Sequence, residues 1–457
     1  MAIADRLAAL FRRADPPAPA PARRSFEAAM PAARRGFRSF GSTGTEALAA
    51  AAPLRARARH AANNNAWIAN GVAAIVAEAV GAGIKANSAH PNQNRRAALD
   101  TLFEDFAAGG DAEGRTDLNG LLAQMVRATV VDGEAFALIE PEGLRLIPAE
   151  MVDESLTRET RDGGYIVAGV EHDQRGRRVA YHIQPARPTE VFTTAAEPIR
   201  VPADEVLHLF RPLGPGQVRG VSWLAPVLLT INELDQLQDA MLVGQKISAM
   251  HAGFIVDQNN LGGGDTGFPE ESDGGDVSLE PGTIRRLGAG EDIKFSQPDQ
   301  ASEGVPFAKL TLRQISAGLG LPTHLLDGDL SDATYSSLRA GLLPFRQKIE
   351  QFQKHNLIPQ VLTPVWRLAM TRAFLGGAID DLQPSLRVGW LPPRPMQVDP
   401  LKDTQALKEQ IAAGLTSRRK AAASLGWNLT ELDKEIAADR DRAEALNLNF
   451  GEATNGT

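Results

Sequence analysis

The sequence predicts an α+β fold, and three observations lead to that prediction. Helical and strand patterns alternate over residues 95–210, one long helical pattern follows over residues 222–250, and only helical patterns occupy residues 400–446. With 457 residues, 43% of them hydrophobic, the chain can hold two to four domains and bury a large core. We therefore expect a mixed α/β region joined to long helices.

The composition limits the classes of function. The formal net charge is −8 and the pI about 5.6, so the chain lacks the basic face of a protein that wraps nucleic acid, although it permits a protein past which DNA slides. Cysteine is absent, which excludes disulfides and cysteine-ligated metals. No apolar run approaches about 18 residues, so we expect no membrane span, and no secretory signal stands out.

Residues 1–60 are rich in alanine, proline and arginine, as in PPAPAPARR and LRARAR. Low complexity of this kind buries too little apolar surface to offset backbone entropy, so we expect a mobile arm. An exception is a short amphipathic helix, with Ile3, Leu7, Leu10 and Phe11 on one side. Three interpretations remain open for the arm: a solvated tail, a docking segment for a partner, and an organelle-type targeting peptide.

The next elements are helices and then strands. A helix is predicted from His60 to Ala86, with asparagine caps before Trp67 and a stop at Gly81 and Gly83. Helical patterns at residues 95–107 and 118–133 precede the strand patterns, which are residues 133–140, 143–152, 165–173, 178–185 and 197–210. Gln174 to Gly176 is predicted to be the turn of a hairpin.

Four residues of these strands and turns could suggest a metal or acid/base site: Glu134, His172, Asp173 and His182. No second pair of ligands has the spacing of a zinc site, and residues of strands and turns alternate between faces. We therefore interpret the four as polar residues on the surface of hairpins.

The stretch from Asp204 to Met250 combines a strand, a turn and a long helix. Gly214, Gly216 and Gly220 in the turn form GxGxxxG, which is not the GxGxxG dinucleotide fingerprint and is not followed by Gly-Lys-Ser/Thr. The helix would be about 40 Å long at 1.5 Å per residue. Its apolar residues recur at steps of three and four: Leu224, Val227, Leu228, Ile231, Leu234, Leu237, Met241 and Leu242.

A compact insert and a second helix follow. Residues 251–300 contain two strand patterns on either side of a loop rich in glycine and acidic residues. The second helix is predicted from Ser302 to Gly320, and Pro322 marks its end.

A polar loop with Asp327, Asp329 and Asp332 then leads to a helix expected to start at Ser336 or Ser337. An EF-hand is excluded, because Asp332 stands where glycine is required and Leu338 where glutamate is required. The helix extends to about Phe374, and three prolines inside it predict that it is kinked or segmented: Pro344, Pro359 and Pro364.

The end of the chain is helical. After a proline-rich strand and turn at residues 388–400, three helices are separated by stops at Gly414 and Gly426, and Asn428 with Glu431 forms a possible capping box.

The order of these motifs resembles the phage portal proteins of the lambda type, from about Asn63 to Leu446. The motifs are several asparagines before Trp67, DGEAFALIE, the hairpin GVEHDQRGRRVAYHIQ, GPGQVRGVSWLAP, GLP with LLDGD and TYSSLRAG, and VDP before the terminal helices. The loop from Gly262 to Gly275 is longer and richer in glycine than is usual in the family, and residues 1–60 match nothing in it.

The resemblance implies a division of the chain into portal domains. These are a mobile arm (1–60), the first part of the wing (61–221), a stem helix (222–251), the clip (252–301), a second stem helix (302–321), the tunnel loop (322–336, facing DNA at Asp327–Ser336), the long tunnel helix with the second part of the wing (337–399), and a helical crown with a loose tail (400–457).

The resemblance also implies site residues. The tunnel loop would present Asp327, Asp329, Asp332, Tyr335, Ser336 and Arg339 to DNA, and the channel helix would present Arg346 and Lys348. Carboxylates would repel the phosphates and keep the duplex from sticking, while the cations would make transient contacts. The clip would dock the motor and later connectors through Arg285, Arg286, Glu291 and Lys294.

The function implied is mechanical. About twelve subunits would form a ring at one capsid vertex, assembled in the host cytoplasm, through which double-stranded DNA enters and leaves. The partners would be the terminase large subunit, the major capsid protein and head-completion or adaptor proteins, with no membrane and no cofactor. ATP hydrolysis would belong to the motor. Two alternatives remain: a head-tail joining protein without a channel, and a Ser/His/Asp hydrolase, against which no GxSxG or HExxH motif appears.

Overall fold

The computed structural model describes residues 26–29, 40–185, 197–249, 253–257, 291–295, 301–331, 334–393 and 399–448. The helices of these residues are α1 (Thr43–Asn64), α2 (Ala66–Val80), α3 (Gln93–Ala108), α4 (Leu118–Val131), α5 (Leu228–Ala249), α6 (Ala301–Leu319), α7 (Thr323–Asp327), α8 (Tyr335–Phe352), α9 (Thr363–Leu375), α10 (Leu382–Ser385), α11 (Pro400–Ala412), α12 (Arg418–Ser424) and α13 (Leu429–Ala445).

The strands are short by comparison. They are β1 (Lys85–Ser88), β2 (Glu134–Glu140), β3 (Gly143–Ile147), β4 (Arg158–Glu159), β5 (Tyr165–Val167), β6 (Val170–His172), β7 (Arg178–Ile183), β8 (Ile199–Pro202), β9 (Val206–Phe210), β10 (Gly253–Asp257), β11 (Glu291–Phe295) and β12 (Val388–Leu391). All their pairings are antiparallel, in the sheets β3-β2-β9, β4-β5-β6-β7-β8, β1-β12 and β10-β11. The predicted α+β class is confirmed.

Helix α1 corrects the prediction of a mobile arm. Residues 43–59 are helical, and Ala47, Ala50, Leu54 and Ala58 are buried at steps of three and four. Alanine has the highest helix propensity, and a stripe of small side chains allows close packing against a neighbouring helix. The composition suggested low complexity, whereas the spacing of the alanines produces a packed helix. The predicted helix near residues 3–11 lies outside the described residues.

The helix predicted within residues 60–86, with asparagine caps before Trp67, is confirmed as α2. Asn65 has an extended backbone (φ −102°, ψ 117°), and its side chain accepts the Ile68 N–H and so caps α2. Asn65 also donates to Asp235 of α5 at 2.7 Å. The predicted stop at Gly81 is confirmed, and β1 then pairs with β12 near the far end of the described chain.

The strands of residues 158–210 differ from the prediction at two places. Residues 197–210, predicted as one strand, form β8 and β9, which belong to different sheets. Residues 165–173, predicted as one strand, form β5 and β6 with a turn at Ala168 and Gly169, whose φ angles are 47° and 80°. Two consecutive residues with positive φ make the tight turn that suits the twist of a hairpin. The predicted turn from Gln174 to Gly176 is confirmed between β6 and β7.

Helices α5 and α6 pack side by side in opposite directions. A Cβ atom added to Gly318 would lie 2.3 Å from Val227, and one added to Gly304 would lie 2.5 Å from Met241, so the glycines allow the two helices to approach closely. Helix α5 begins at Leu228, whereas the sequence predicted a start near residue 222, because residues 224–227 form turns. Among the described residues, no helix is both long and apolar enough to cross a membrane.

The long helix predicted from Ser337 to Phe374 is segmented, as expected. Between α8 and α9 lies a π-helical segment, Gln353–Leu362, which contains Pro359. Its side chains hold the end of β9: Phe210 N–H donates to Gln360 at 3.0 Å, and Asn356 donates to Phe210 O at 3.3 Å. The predicted helix stops at Gly414 and Gly426, with φ of 72° and 77°, are also confirmed.

Candidate functional site

The polar loop before α8 is built by side-chain caps. Gly328 adopts a left-handed conformation (φ 72°) that ends α7. Asp327 Oδ1 accepts the Asp329 N–H at 3.0 Å, and Asp329 Oδ1 accepts the Ser331 N–H at 3.0 Å and the Ser331 hydroxyl at 2.5 Å. Lys309 of α6 lies 3.1 Å from Asp329 Oδ2. The backbone of the loop is thus ordered by its own carboxylates.

Asp329 carries a negative charge at neutral pH. The hydrogen bonds from Ser331, and then Lys309, hold the pKa of this carboxyl well below its usual range. The side chain is 39% exposed, so its charge faces solvent. The loop therefore presents a fixed anion at its tip. Asp332 lies outside the described residues.

The start of α8 is one residue earlier than the first position predicted. Thr334 is the N-cap: its hydroxyl accepts the Ser337 N–H at 3.2 Å, and the Ser337 hydroxyl accepts the Thr334 N–H at 2.9 Å. This reciprocal pair lets Tyr335 be the first helical residue. Tyr335 and Ser336 are exposed.

Arg339 and Tyr335 meet the terminal helices. Arg339 lies 3.3 Å from Asp403 of α11 and donates to the Tyr335 hydroxyl at 3.2 Å. The ammonium group of Lys402 lies 5.2 Å from the centre of the Tyr335 ring, within the range of a cation–π contact. The structure thus brings together two of the predicted site residues and adds two partners from α11.

The two cations predicted farther along the helix lie in different surroundings. Arg346 is half-buried and donates to Glu78 of α2 at 3.2 Å. Lys348 is exposed, lies next to Gly320 at the end of α6, and makes no ion pair with any described residue. Of these two cations, only Lys348 has no carboxylate beside it among the described residues.

The predicted clip residues are described only in part. Glu291 and Lys294 belong to β11 and pair in register with Asp257 and Phe254 of β10. Arg285 and Arg286 lie outside the described residues.

A buried ionic cluster lies where β2 meets the turn before α5, and the interpretation of Glu134 as surface polarity is wrong. Glu134 is 1% exposed and lies 2.7 Å from Arg219, which is equally buried. His208 Nε2 lies 3.1 Å from the same carboxylate, and Gly220 N–H donates to it at 2.9 Å. Arg55 of α1 approaches to 3.5 Å.

The protonation states in this cluster follow from its burial and charges. Burial alone would raise the pKa of Glu134, but the charge of Arg219 and the hydrogen bond with His208 hold it well below its usual range. Burial lowers the pKa of His208 to about 4. His208 is therefore neutral at pH 7 and donates to Glu134 through Nε2, while its Nδ1 accepts from the Tyr181 hydroxyl at 3.3 Å.

Arg219 ties the cluster to the backbone between β3 and β6. It donates to the carbonyl groups of Ala149 and Ala168 at 2.9 Å each and of Val152 at 3.3 Å. The adjacent turn crosses the start of β2 so closely that a Cβ atom on Gly220 would lie 2.1 Å from Gly133 O. The glycines of this turn thus allow its backbone to approach the start of β2 closely and to adopt the turn conformation.

The other residues of the rejected metal site do not converge. His172 is buried and stacks on Tyr165 at 4.9 Å, and burial lowers its pKa. His182 is buried and lies 2.9 Å from Glu171, so the surface interpretation is wrong for both histidines. Asp173 caps the hairpin turn, accepting the Arg175 and Arg177 N–H groups. The described residues contain no group of three His, Cys, Asp or Glu that could hold a metal.

The fold combines sheets that lead into an antiparallel helix pair with an acidic loop that leads into a long segmented helix. These are the parts of a portal protein, which is the subunit of the channel for viral DNA packaging. The chain belongs to the lambda family of phage portal proteins, whose family model matches residues 33–353. The resemblance predicted from the sequence is confirmed, and with it the role of a portal subunit in DNA packaging.

Proteins similar to this chain share only a small percentage of identical residues with it. A probable portal protein of Halomonas phage phiHAP-1 is 25% identical over 382 residues, which cover 79% of this chain and 73% of that protein. Portal protein B of Escherichia phage lambda is 22% identical, with 74% of this chain and 71% of that protein covered. A chain in the neck of an empty gene transfer agent (GTA) particle superposes with a TM-score of 0.47 at 16% identity, covering 81% of this chain and 93% of that one.

Proposed function

We propose that about twelve copies of this chain form a ring at one capsid vertex, and that the loop of residues 327–336 lines the hole through which double-stranded DNA enters and leaves. The observation that carries the proposal is the tip of this loop. Asp329 is exposed and ionised, and the loop stands at the head of the long segmented helix. Repeated around a ring, the carboxylates of Asp327 and Asp329 form a collar of negative charge, of which Lys309 offsets only the part that belongs to Asp329.

A negative collar suits a channel through which DNA must slide. Carboxylates repel phosphates over roughly one Debye length, about 8 Å at physiological salt, so the duplex does not adhere. Arg339 and Arg346 have carboxylate partners, which weakens their attraction for phosphate. Lys348 is exposed and has no such partner in the described part of the chain, and it supplies the transient contacts with DNA.

The pair β10–β11 and the residues between them form the clip in this proposal. The clip docks the terminase large subunit during packaging and head-completion or adaptor proteins afterwards, through Arg285, Arg286, Glu291 and Lys294. The wing contacts the major capsid protein. The ring assembles in the host cytoplasm and stays in the virion, and the motor rather than the portal hydrolyses ATP.

Ring formation tests the proposal directly. Light scattering and single-particle class averages of the purified chain should show rings of about twelve copies around a hole wider than a DNA duplex. A closed assembly without such a hole would favour a head-tail joining protein. Turnover of ester or peptide substrates by a subunit that never forms rings would favour a hydrolase and overturn the proposal.

A further inference from the structure

A groove lies between α1, α5 and α6. Its volume is about 1210 Å³, which is larger than most small-molecule sites. Phe307 of α6, which lines it, is 58% exposed, so a large apolar surface is left open. An open apolar surface of this size suits a segment of polypeptide. The residues used below line it as well: Ala56 of α1, Leu229 and Leu237 of α5, and Gln314 of α6.

The first described residues of the chain lie at this groove. Ala28 lines it, and Ala28 and Ala29 are 3% and 1% exposed. The side chain of Arg57 in α1 donates to Ala28 O, and the rings of Phe26 and Phe40 pack edge to face at 5.0 Å. Because residue 25 is joined directly to this packed segment, residues 1–25 are tethered at the groove.

These preceding residues have two parts. Residues 2–13, which we call the N-terminal segment, have the pattern of an amphipathic helix about 18 Å long, with its apolar side made by Ile3, Leu7, Leu10 and Phe11. Residues 14–25, ADPPAPAPARRS, are a proline-rich linker that spans up to about 37 Å at 3.1 Å per residue. The part of α5 that lines the groove, residues 228–237, is about 15 Å long. The linker can therefore place the segment anywhere along the groove.

Chain connectivity selects this occupant. A short linker that spans two sites gives the tethered segment an effective concentration on the order of millimolar. Charge makes no selection, because the groove holds Arg57 as well as Glu233, and the segment holds Asp5 as well as Arg6. A second copy or another protein has no tether and must compete with the segment for the same apolar surface.

We propose that the apolar side of the N-terminal segment docks in the groove of its own subunit. Docking covers the open apolar surface around Phe307 and Leu237 and buries the apolar stripe of the segment. Of the three interpretations of the start of the chain, this selects a docking segment over a solvated tail and a targeting peptide. The inference goes beyond the proposed ring and does not depend on it.

Thiol labelling tests the docking, because the chain has no cysteine of its own. Gln314→Cys places a single thiol at an exposed position in the groove, and Arg313→Cys places one at an exposed position of α6 outside it. Each is combined with an unchanged segment, with Leu7→Asp and Phe11→Asp on its apolar side, or with Ala2→Asp and Ala9→Asp on its other side. The two pairs of substitutions change the charge equally, and the rate of maleimide labelling is measured.

Leu7→Asp with Phe11→Asp is expected to speed labelling at Gln314→Cys at least about tenfold, because aspartates are costly to bury and the segment leaves the groove. Ala2→Asp with Ala9→Asp should label like the unchanged segment, and labelling at Arg313→Cys should be the same with all three segments. Equal labelling at Gln314→Cys with all three segments would overturn the inference. Equal acceleration at Arg313→Cys would show that α6 itself loosens, and would also overturn it.

Mixed assemblies identify the copy that supplies the segment. Chains with Gln314→Cys, Leu7→Asp and Phe11→Asp are assembled with an excess of wild-type chains. Fast labelling should persist, because each groove takes only the segment of its own subunit. Protection would assign the groove to the segment of another copy and overturn docking within the subunit. If the wild type forms no rings, the proposed function fails, whereas labelling of single subunits still decides this inference.

Discussion

Arg339, in the second turn of α8, lies 3.3 Å from Asp403 of α11, so the start of α8 is tied to the terminal helices. The two side chains are 48% and 27% exposed, and pairs of this kind contribute only about 0.2 to 1 kcal/mol. The contact therefore adds only a small stabilisation to the observed arrangement of α8 and α11.

The first prediction concerns this contact. Asp403→Asn should increase amide hydrogen exchange at residues 334–340 several-fold, because Arg339 loses its charged partner, while global stability changes by less than about 1 kcal/mol. The control is Asp433→Asn, which removes the Arg418 ion pair of α12 and α13 and touches nothing in α8. Equal exchange in Asp403→Asn and the wild type would show that the loop is held by other contacts.

The buried cluster gives the second prediction. Arg219→Met leaves Glu134 buried without its main partner and three carbonyl groups without their donor, so the free energy of unfolding should fall by about 3 to 5 kcal/mol. Urea unfolding followed by circular dichroism measures the change. Arg200→Met, which breaks the exposed pair with Glu171, should cost less than about 1 kcal/mol. If the free energy of unfolding falls by a similar small amount in both variants, Arg219 does not hold the buried cluster together.

The third prediction is a pH dependence at Asp100 of α3. Burial, with Glu431 and Glu104 nearby, raises its pKa from 3.8 to about 6, although its carboxylate accepts the Ser88 N–H at 2.6 Å. Between these pH values the unfolded chain binds fewer protons than the folded chain, so this group lowers stability as pH rises. The contribution is fully favourable below pH 3.8 and is lost by about pH 6.

Asp100→Asn keeps an acceptor for Ser88 and removes the titration. The unfolding free energy of Asp100→Asn minus that of the wild type should rise by about 2 to 3 kcal/mol from pH 4 to pH 7. Urea unfolding at each pH measures this difference. Asp105→Asn, an exposed position on the same helix, should follow the wild type. A constant difference between Asp100→Asn and the wild type across this range would contradict the assignment.

The fourth prediction tests the acidic collar. Asp329→Lys adds two positive charges per subunit, or about 24 in a ring of about twelve, so these rings should retain DNA on filters at 50 mM salt and release it at 200 mM. Wild-type rings should not retain it. Asp162→Lys makes the same change in the exposed turn between β4 and β5 and is the control. If both lysine variants bind DNA equally, the loop has no special access to the duplex.

The sequence was informative where apolar periodicity was strong, and less so where small or charged residues decided the structure. Helices α3 and α4 were predicted close to their observed bounds because their buried apolar residues repeat at steps of three and four, and strand β2 because turn residues flank a short apolar run. Helix α1 was missed because its buried face is mostly alanine, and the β5–β6 turn because alanine is not a usual residue at positive φ.

The site was harder to predict than the fold. Glu134 precedes the apolar residues 135–139 of β2, His208 lies between apolar residues of β9, and Arg219 is the one charged residue of residues 212–222. This was the available signal that these polar groups are buried together. The pairing of Arg346 with Glu78 joins residues 268 positions apart, and no local pattern could reveal it. Local rules locate the loop and its caps, whereas long-range pairing decides which of its charges remain free.

The distance along the chain between Glu134 and Arg219 also sets an order of events during synthesis. The two residues are 85 positions apart. At 5 to 20 residues per second, the ribosome takes about 4 to 17 s to make the arginine after the glutamate. Until then only Arg55, which lies 3.5 Å away in the folded chain, can offset the charge of this carboxylate, and the closer partner at 2.7 Å is still missing. The sheets around Glu134 therefore reach their final packing only after the turn at the root of α5 has emerged.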